Sequence, residues 1–295
     1  MGTTKEIVMM ETSSPKETKE EQDIEPKGFW FTSKTDEEIE ELLKTMLSPR
    51  NLVVLFIVCI LSLLFLFPLT FIAPAAYFSF YFYTKEYLKT RKFMREYAKS
   101  RNLQYTGTLD IDSLTGRLFM RSRRKVEHVL VGEYSGFLIT LFYYSYSVKE
   151  GKHTRVYPFT VSEITVGTTK FPHLLLLNNN MEKYQFGDYF GDDKDVKVGL
   201  GGDDSRYTLY TTNNYELEAL QICTPEFVEL LRNGQVIESV ECAENKVYIY
   251  TDTRLTTKEE LDVLYNTTTA LIEKFGPFLI RLKDDYDSLH EVFKK

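Results

Sequence analysis

Hydrophobic and polar positions fall into distinct regimes along the chain. Residues 1–28 are rich in Lys, Glu, Ser and Thr, with few apolar side chains, and cannot bury enough surface to offset ordering entropy. A disordered tail is expected there. Behind Thr35, with Glu38 three residues on, Ile39, Leu42, Leu43, Met46 and Leu47 recur at helical spacing. This capping-box pattern predicts a short amphipathic helix ended by Ser48-Pro49. Two placements fit it, one on a membrane surface and one packed against the cytoplasmic domain. The Phe29-Trp30-Phe31 triplet before it suits either a membrane interface or a docking contact.

A run of 34 residues follows, Asn51 to Thr84, without one charged side chain. A charge at the bilayer centre costs several kcal/mol, so so long an uncharged stretch points to lipid. As one straight helix it would measure about 51 Å, against a hydrocarbon core of about 30 Å. Pro68 lies near its midpoint and Pro74 follows six residues later. Proline removes a backbone donor and clashes with the preceding turn, which suggests two short spans, Leu52–Phe67 and Leu69–Tyr83, joined by a turn around Pro68–Pro74. Spans this short also fit a shallow wedge that enters and leaves by one face, and a single tilted, kinked helix is the competing reading.

Beyond the run, the second helix is expected to continue to about Arg101 as a basic stalk, with residues 29–103 forming one membrane-associated region. The period then shortens. Val126–Tyr134, Phe137–Val148 and Arg155–Val166 are rich in β-branched and aromatic residues, and Ser135-Gly136 and Lys149-Glu150-Gly151-Lys152 separate them. They read as an antiparallel meander. His173–Leu177, Tyr207–Thr211, Val236–Glu241 and Val247–Tyr250 are further strand candidates. Thr224-Pro225-Glu226 marks a helix start, with Gly234 as its stop. Thr256 with Glu259 has capping-box spacing and opens a longer helix, whose apolar stripe runs from Leu261 to Phe293 with a kink expected at Gly276-Pro277. The fold class is therefore α+β: an N-terminal helical transmembrane hairpin, then an antiparallel-sheet domain with a long C-terminal helix over residues 104–295.

Charge sharpens this picture. Residues 1–50 hold 7 basic and 12 acidic groups, residues 85–125 hold 12 and 4, and residues 126–295 hold 17 and 27. The belt of net +8 follows the apolar run directly. Lys85, Lys89, Arg91, Lys92, Arg95, Lys99, Arg101, Arg121, Arg123, Arg124 and Lys125 are thus candidate contacts for anionic lipid head groups, each contributing on the order of 1 kcal/mol at a lipid surface. The same bias places the large C-terminal part in the cytoplasm, at the plasma (inner) membrane, by the positive-inside rule. Nucleic acid is not an expected partner, because the remainder of the domain is acidic. The aromatic stretch Tyr77 to Tyr83 suits either an interfacial belt or plain lipid-facing bulk. No cleavable signal peptide is expected, and Glu6 stands where a myristoylation signal needs Ser or Thr.

Reactive chemistry finds little footing. The glycines of Gly199-Leu200-Gly201-Gly202 open no phosphate-loop fingerprint. Acids from Asp192 to Asp204 fail the EF-hand spacing and read as solvated loop residues, with an irregular cation site as the alternative. His128, His153, His173 and His290 show no metal spacing, and Cys59, Cys223 and Cys242 form no CxxC. Small buried apolar roles are expected for the cysteines, and hydrogen-bonded structural roles for His128 and His173. No catalytic residue, metal or cofactor is expected.

Several strings occur in order: Gly132-Glu133-Tyr134-Ser135-Gly136, Tyr143-Tyr144-Ser145-Tyr146, Phe171-Pro172-His173-Leu174-Leu175-Leu176, Tyr215-Glu216-Leu217-Glu218-Ala219-Leu220 and Thr224-Pro225-Glu226. Over residues 104–290 they resemble an uncharacterised bacterial membrane-protein family, a domain of unknown function behind an N-terminal hydrophobic segment. The resemblance implies a fold and a membrane location, and no catalytic residues. The expected role is a membrane-anchored, non-enzymatic module that binds a partner protein or anionic lipid. The alternatives are an enzyme using the Asp192–Asp204 carboxylates and a membrane-shaping hairpin.

Overall fold

The structure is a computed structural model that describes residues 34–65, 69–167, 171–184, 195–198, 200, 206–212, 215–232 and 238–293. The tail, the Phe29-Trp30-Phe31 triplet, Gly234 and most of the loop from Asp192 to Asp204 lie outside those residues. Three helices come first: α1 (Asp36–Met46), α2 (Pro49–Phe65) and α3 (Leu69–Ser100). The expected capping box is present, with Glu38 N–H donating to Thr35 Oγ1 at 3.2 Å and Thr35 N–H to Glu38 Oε2 at 2.8 Å. Ser48 caps α2 by accepting from Asn51 N–H at 3.4 Å, and Pro49 takes the first helical position, where no donor is needed. The turn expected around Pro68–Pro74 is shorter than that. α3 already begins at Leu69 and carries Pro74 inside it. A proline early in a helix sacrifices one hydrogen bond without ending it.

The domain is built on one nine-stranded sheet in the order β1-β2-β3-β4-β9-β8-β5-β7-β6, every neighbouring pair antiparallel. The expected meander is β2 (Arg124–Tyr134), β3 (Phe137–Glu150) and β4 (His153–Thr165). Ser135 and Gly136, at φ 50° and 81°, form the tight turn between β2 and β3. The second turn is tighter than the sequence suggests: β3 pairs with β4 out to Glu150↔His153, leaving only Gly151-Lys152 between them. The other expected strands are β5 (Phe171–Asn178), β7 (Tyr207–Thr212), β8 (Glu238–Glu244) and β9 (Lys246–Thr251). Two short edge strands, β1 (Gln104–Tyr105) and β6 (Asp195–Val198), complete the sheet. Asp195 is thus a strand residue and not a loop acid.

Helices α4 (Glu216–Ile222), α5 (Pro225–Arg232) and α6 (Lys258–Phe293) join the second half of α3 on one face. Met94, Tyr97 and Ala98 of α3 share a core there with Leu130, Ile139, Leu141, Leu264 and Ile272. The α6 cap lies one residue later than expected. Thr257 and Glu260 exchange the reciprocal hydrogen bonds, and Glu260 also accepts from Thr256 N–H. α6 runs unbroken across Gly276-Pro277. The opposite face is closed by a strap, residues 106–123, that drives Leu114, Leu118 and Phe119 into an aromatic bed of Phe142, Tyr144, Tyr146, Phe159 and Tyr248.

Candidate membrane-facing site

The face of α3 turned towards the domain carries Thr84, Leu88, Arg91, Met94 and Ala98, all buried at intervals of three or four residues. Arg91 is 1% exposed. Such a cation needs partners, and α1 provides them. Arg91 Nη1 donates to Lys34 O at 2.8 Å, and its Nε lies 3.3 Å from Asp36 Oδ1, near enough for charge attraction though not aligned as a hydrogen bond. Arg95 Nη1 donates to Asp36 Oδ2 at 2.7 Å, and Lys92 pairs with Glu40. Ile39, fully buried, fixes the apolar side of the same contact. α1 packs against α3, the expected stalk, rather than against the sheet domain beyond residue 104.

Two further contacts lock the point where the chain enters the apolar run. Asn51 Nδ2 donates to Thr45 O at 2.7 Å, and the Tyr77 hydroxyl donates to Met46 O. The start of α2 is therefore level with Tyr77 on α3. From there α2 and α3 pack against each other and expose an apolar surface. Val53, Val54, Phe56, Ile57, Ile60 and Ile72 are all exposed, Phe56 at 66% and Ile72 at 60%. No single helix among the described residues is long and apolar enough to cross a membrane; one bent pair, Asp36–Met46 with Pro49–Ile60 at 52°, meets that length and composition together. α2 holds 17 residues, about 25 Å at 1.5 Å each, and α3 turns charged from Lys85.

The eleven basic candidates separate into groups. Lys85 and Lys89, one turn apart, and Lys99 are exposed on α3, as is Arg123 at the end of the strap. Arg91, Lys92 and Arg95 are taken up by α1, and Arg101 is held by Asp262 at 2.6 Å. Arg124 binds Asp112 and Phe119 O, and Arg121 stacks 5.5 Å from the Tyr146 ring centre. Lys125 reaches the Tyr83 hydroxyl at 3.2 Å while pairing with Glu127 at 2.7 Å. Seven of the eleven thus make contacts within the chain. Asp36 and Glu40, its counter-ions, are the residues that sequence reasoning passed over; their spacing of four on α1 matches Arg91, Lys92 and Arg95 on α3.

The Lys125–Tyr83 contact also fixes how the sheet stands beside the hairpin. Farther along, the ring centre of Tyr87 lies 5.1 Å from that of His128, and Gly132 meets Leu103 so closely that an added Cβ would lie 2.3 Å from Leu103 Cδ2. β2 therefore runs alongside α3 in the same direction, away from the apolar run. His128 sits at a bulge with φ 55°, its Nδ1 3.0 Å from the Tyr105 hydroxyl. Burial, then the positive charges of Arg254, Arg91 and Lys125, pull its pKa down to about 3. His173 Nε2 lies 2.7 Å from buried Glu241. Both histidines are hydrogen-bonded, as expected of them. Cys223 and Cys242 are buried free thiols, and burial pushes Cys223 up to about 12.

Among the described residues, no group of three or more His, Cys, Asp or Glu side chains could hold a metal ion. No family model matches the sequence, and no curated protein matches it. Among solved structures, the chain is similar to the crystal structure of the mycobacterial trehalose monomycolate transport factor A, TtfA. The identity is 14%, the alignment covers 62% of this chain and 94% of that chain, and the TM-score is 0.44. A likeness of that size says nothing about what this chain does.

Proposed function

We propose that the chain is a membrane-attached protein whose α2–α3 hairpin is buried in lipid, entering and leaving by the same face, and whose α+β domain serves as a binding module at that surface. The carrying observation is the pairing of Asp36 with Arg91 and Arg95. A single tilted span would separate α1 from the domain by a bilayer, whereas that contact holds α1 on α3 beside the domain, which supports the hairpin. The apolar surface of α2 supports burial in lipid, since hiding each such side chain from water contributes about 1.5–3 kcal/mol. Length supports the same reading. From Asn51 to Phe65 α2 is about 22 Å long, less than a core of about 30 Å.

Orientation follows from Arg50, Lys85 and Lys89, exposed at the ends of the uncharged run. They favour the cytoplasmic face of the plasma membrane and contact with anionic head groups. Membrane shaping is a second reading, favoured by a hairpin that enters and leaves by one face, because such an insertion crowds that face and promotes curvature; preferential binding to small, highly curved vesicles would single it out. The enzyme alternative rested on acids from Asp192 to Asp204, most of which lie outside the described residues. Sedimentation of the full chain tests the main reading. It should pellet with membranes, resist a high-salt wash and come into the supernatant only with detergent. Release by salt alone would contradict insertion.

A further inference from the structure

The β3–β4 ribbon extends beyond both of its neighbours. β2 reaches only as far as Arg124↔Tyr146 on one side, and β9 pairs with β4 only from Val161↔Tyr250 on the other. Past Tyr146, β3 continues to Glu150 and β4 returns from His153, paired only with each other. A two-stranded ribbon with free edges is marginal in water on its own, so a surface that meets it would add to its stability. Its direction is set by the contacts above. β2 runs with α3 away from the apolar run, so antiparallel β3 heads back towards it. Tyr146 is level with Arg124, next to the Lys125–Tyr83 contact. Four more residues at about 3.4 Å carry the tip about 14 Å farther, the equivalent of about nine helical residues. Nine residues before Tyr83 is Pro74, close to the level at which Tyr77 meets the start of α2.

The tip thus arrives at the depth where the hairpin enters lipid, and its composition suits that place. Lys149, Lys152, His153 and Arg155 are exposed, with Glu150 as the only acid between Ser147 and Val156. Val156 is 59% exposed, and Arg155 lies against the Tyr157 ring, 5.3 Å from its centre. Basic groups beside an exposed apolar residue, at a bilayer boundary, match anionic phospholipid head groups above an acyl layer. We infer that the ribbon tip, residues 147–156, is a second lipid contact, selective for anionic head groups, that holds the domain at a fixed tilt on the surface. This rests on the lipid insertion of α2–α3 proposed above.

The test uses the full chain with Cys59→Ser and a single new cysteine, Thr154→Cys, carrying an environment-sensitive fluorophore. It is mixed with phosphatidylcholine vesicles, with or without phosphatidylglycerol. The chain should co-float with both through the hairpin, while the probe shifts to the blue only on the anionic ones. Lys152→Glu with Arg155→Glu should abolish that shift without reducing co-flotation, and a probe at Glu133→Cys, at the far end of β2, should not respond. Co-flotation with an unchanged Thr154→Cys probe on anionic vesicles overturns the ribbon contact alone. An equal shift on both vesicles overturns its selectivity. Failure to co-float overturns the hairpin reading and the ribbon with it.

Discussion

At the scale of single residues, the junction between α1, α3 and β2 depends on buried charge more than on area. Asp36 is the shared counter-ion of Arg91 and Arg95, and Arg91 is too deeply buried for water to replace it. Asp36→Ala should therefore cost about 3–5 kcal/mol, the range for stripping a buried ion of its partner. Asp36→Asn, which keeps an acceptor, should cost less. Hydrogen exchange over residues 36–46 reads the loss as faster exchange in α1. Next to this contact, His128 makes stability depend on pH. Its folded pKa of about 3 lies below its ordinary 6.5. Between these values the unfolded chain holds a proton that the folded chain does not. Stability should fall as pH drops below 6.5, by up to about 1.4 kcal/mol per pH unit from this group, and the decline should level off below pH 3. His128→Asn tolerates the positive φ and has no such titration. Denaturant unfolding at pH 7 and pH 5 should show a smaller pH difference for the variant than for the wild type.

At the scale of elements, what could be read from the sequence followed from periodicity, and what could not depended on contacts between distant residues. The helical spacing behind Thr35 and the alternating β-branched runs of the meander appear in the structure within a few residues of where they were expected. The strap 106–123 has no period. Leu114, Leu118 and Phe119 become legible as core only once β3, β4 and β9 supply the aromatic face beneath them. β1 and β6 are too short to stand out from loops. Thr256 and Thr257 carry the same signal, each with a glutamate three residues on, so local pattern could not choose the α6 cap. The geometry favours Thr257, since Glu260 N–H donates to its hydroxyl at 3.3 Å. Thr257→Ala should then lower stability by about 1 kcal/mol, while Thr256→Ala should change it by a few tenths. Thermal unfolding of the two variants compares them directly.

At the scale of the whole molecule, the uncharged run marks the segment that sequence expects in lipid, with a hairpin as the first reading and one kinked crossing as its competitor. Long-range pairing adds what sequence lacks: α1 precedes the run, the sheet follows it, and Asp36 ties α1 to α3, the arrangement that the proposed hairpin requires. The positive belt was legible as a belt, yet not which of its members were already committed to Asp36, Glu40, Asp262 or Asp112. Pairing between elements that far apart in sequence leaves no local trace. The most direct measurement is accessibility labelling with a membrane-impermeant thiol reagent, on the Cys59→Ser background, of Lys44→Cys in α1 and Lys152→Cys at the ribbon turn. Applied to sealed membrane vesicles, the reagent should modify both positions from the same side. Labelling of the two from opposite sides would contradict the hairpin.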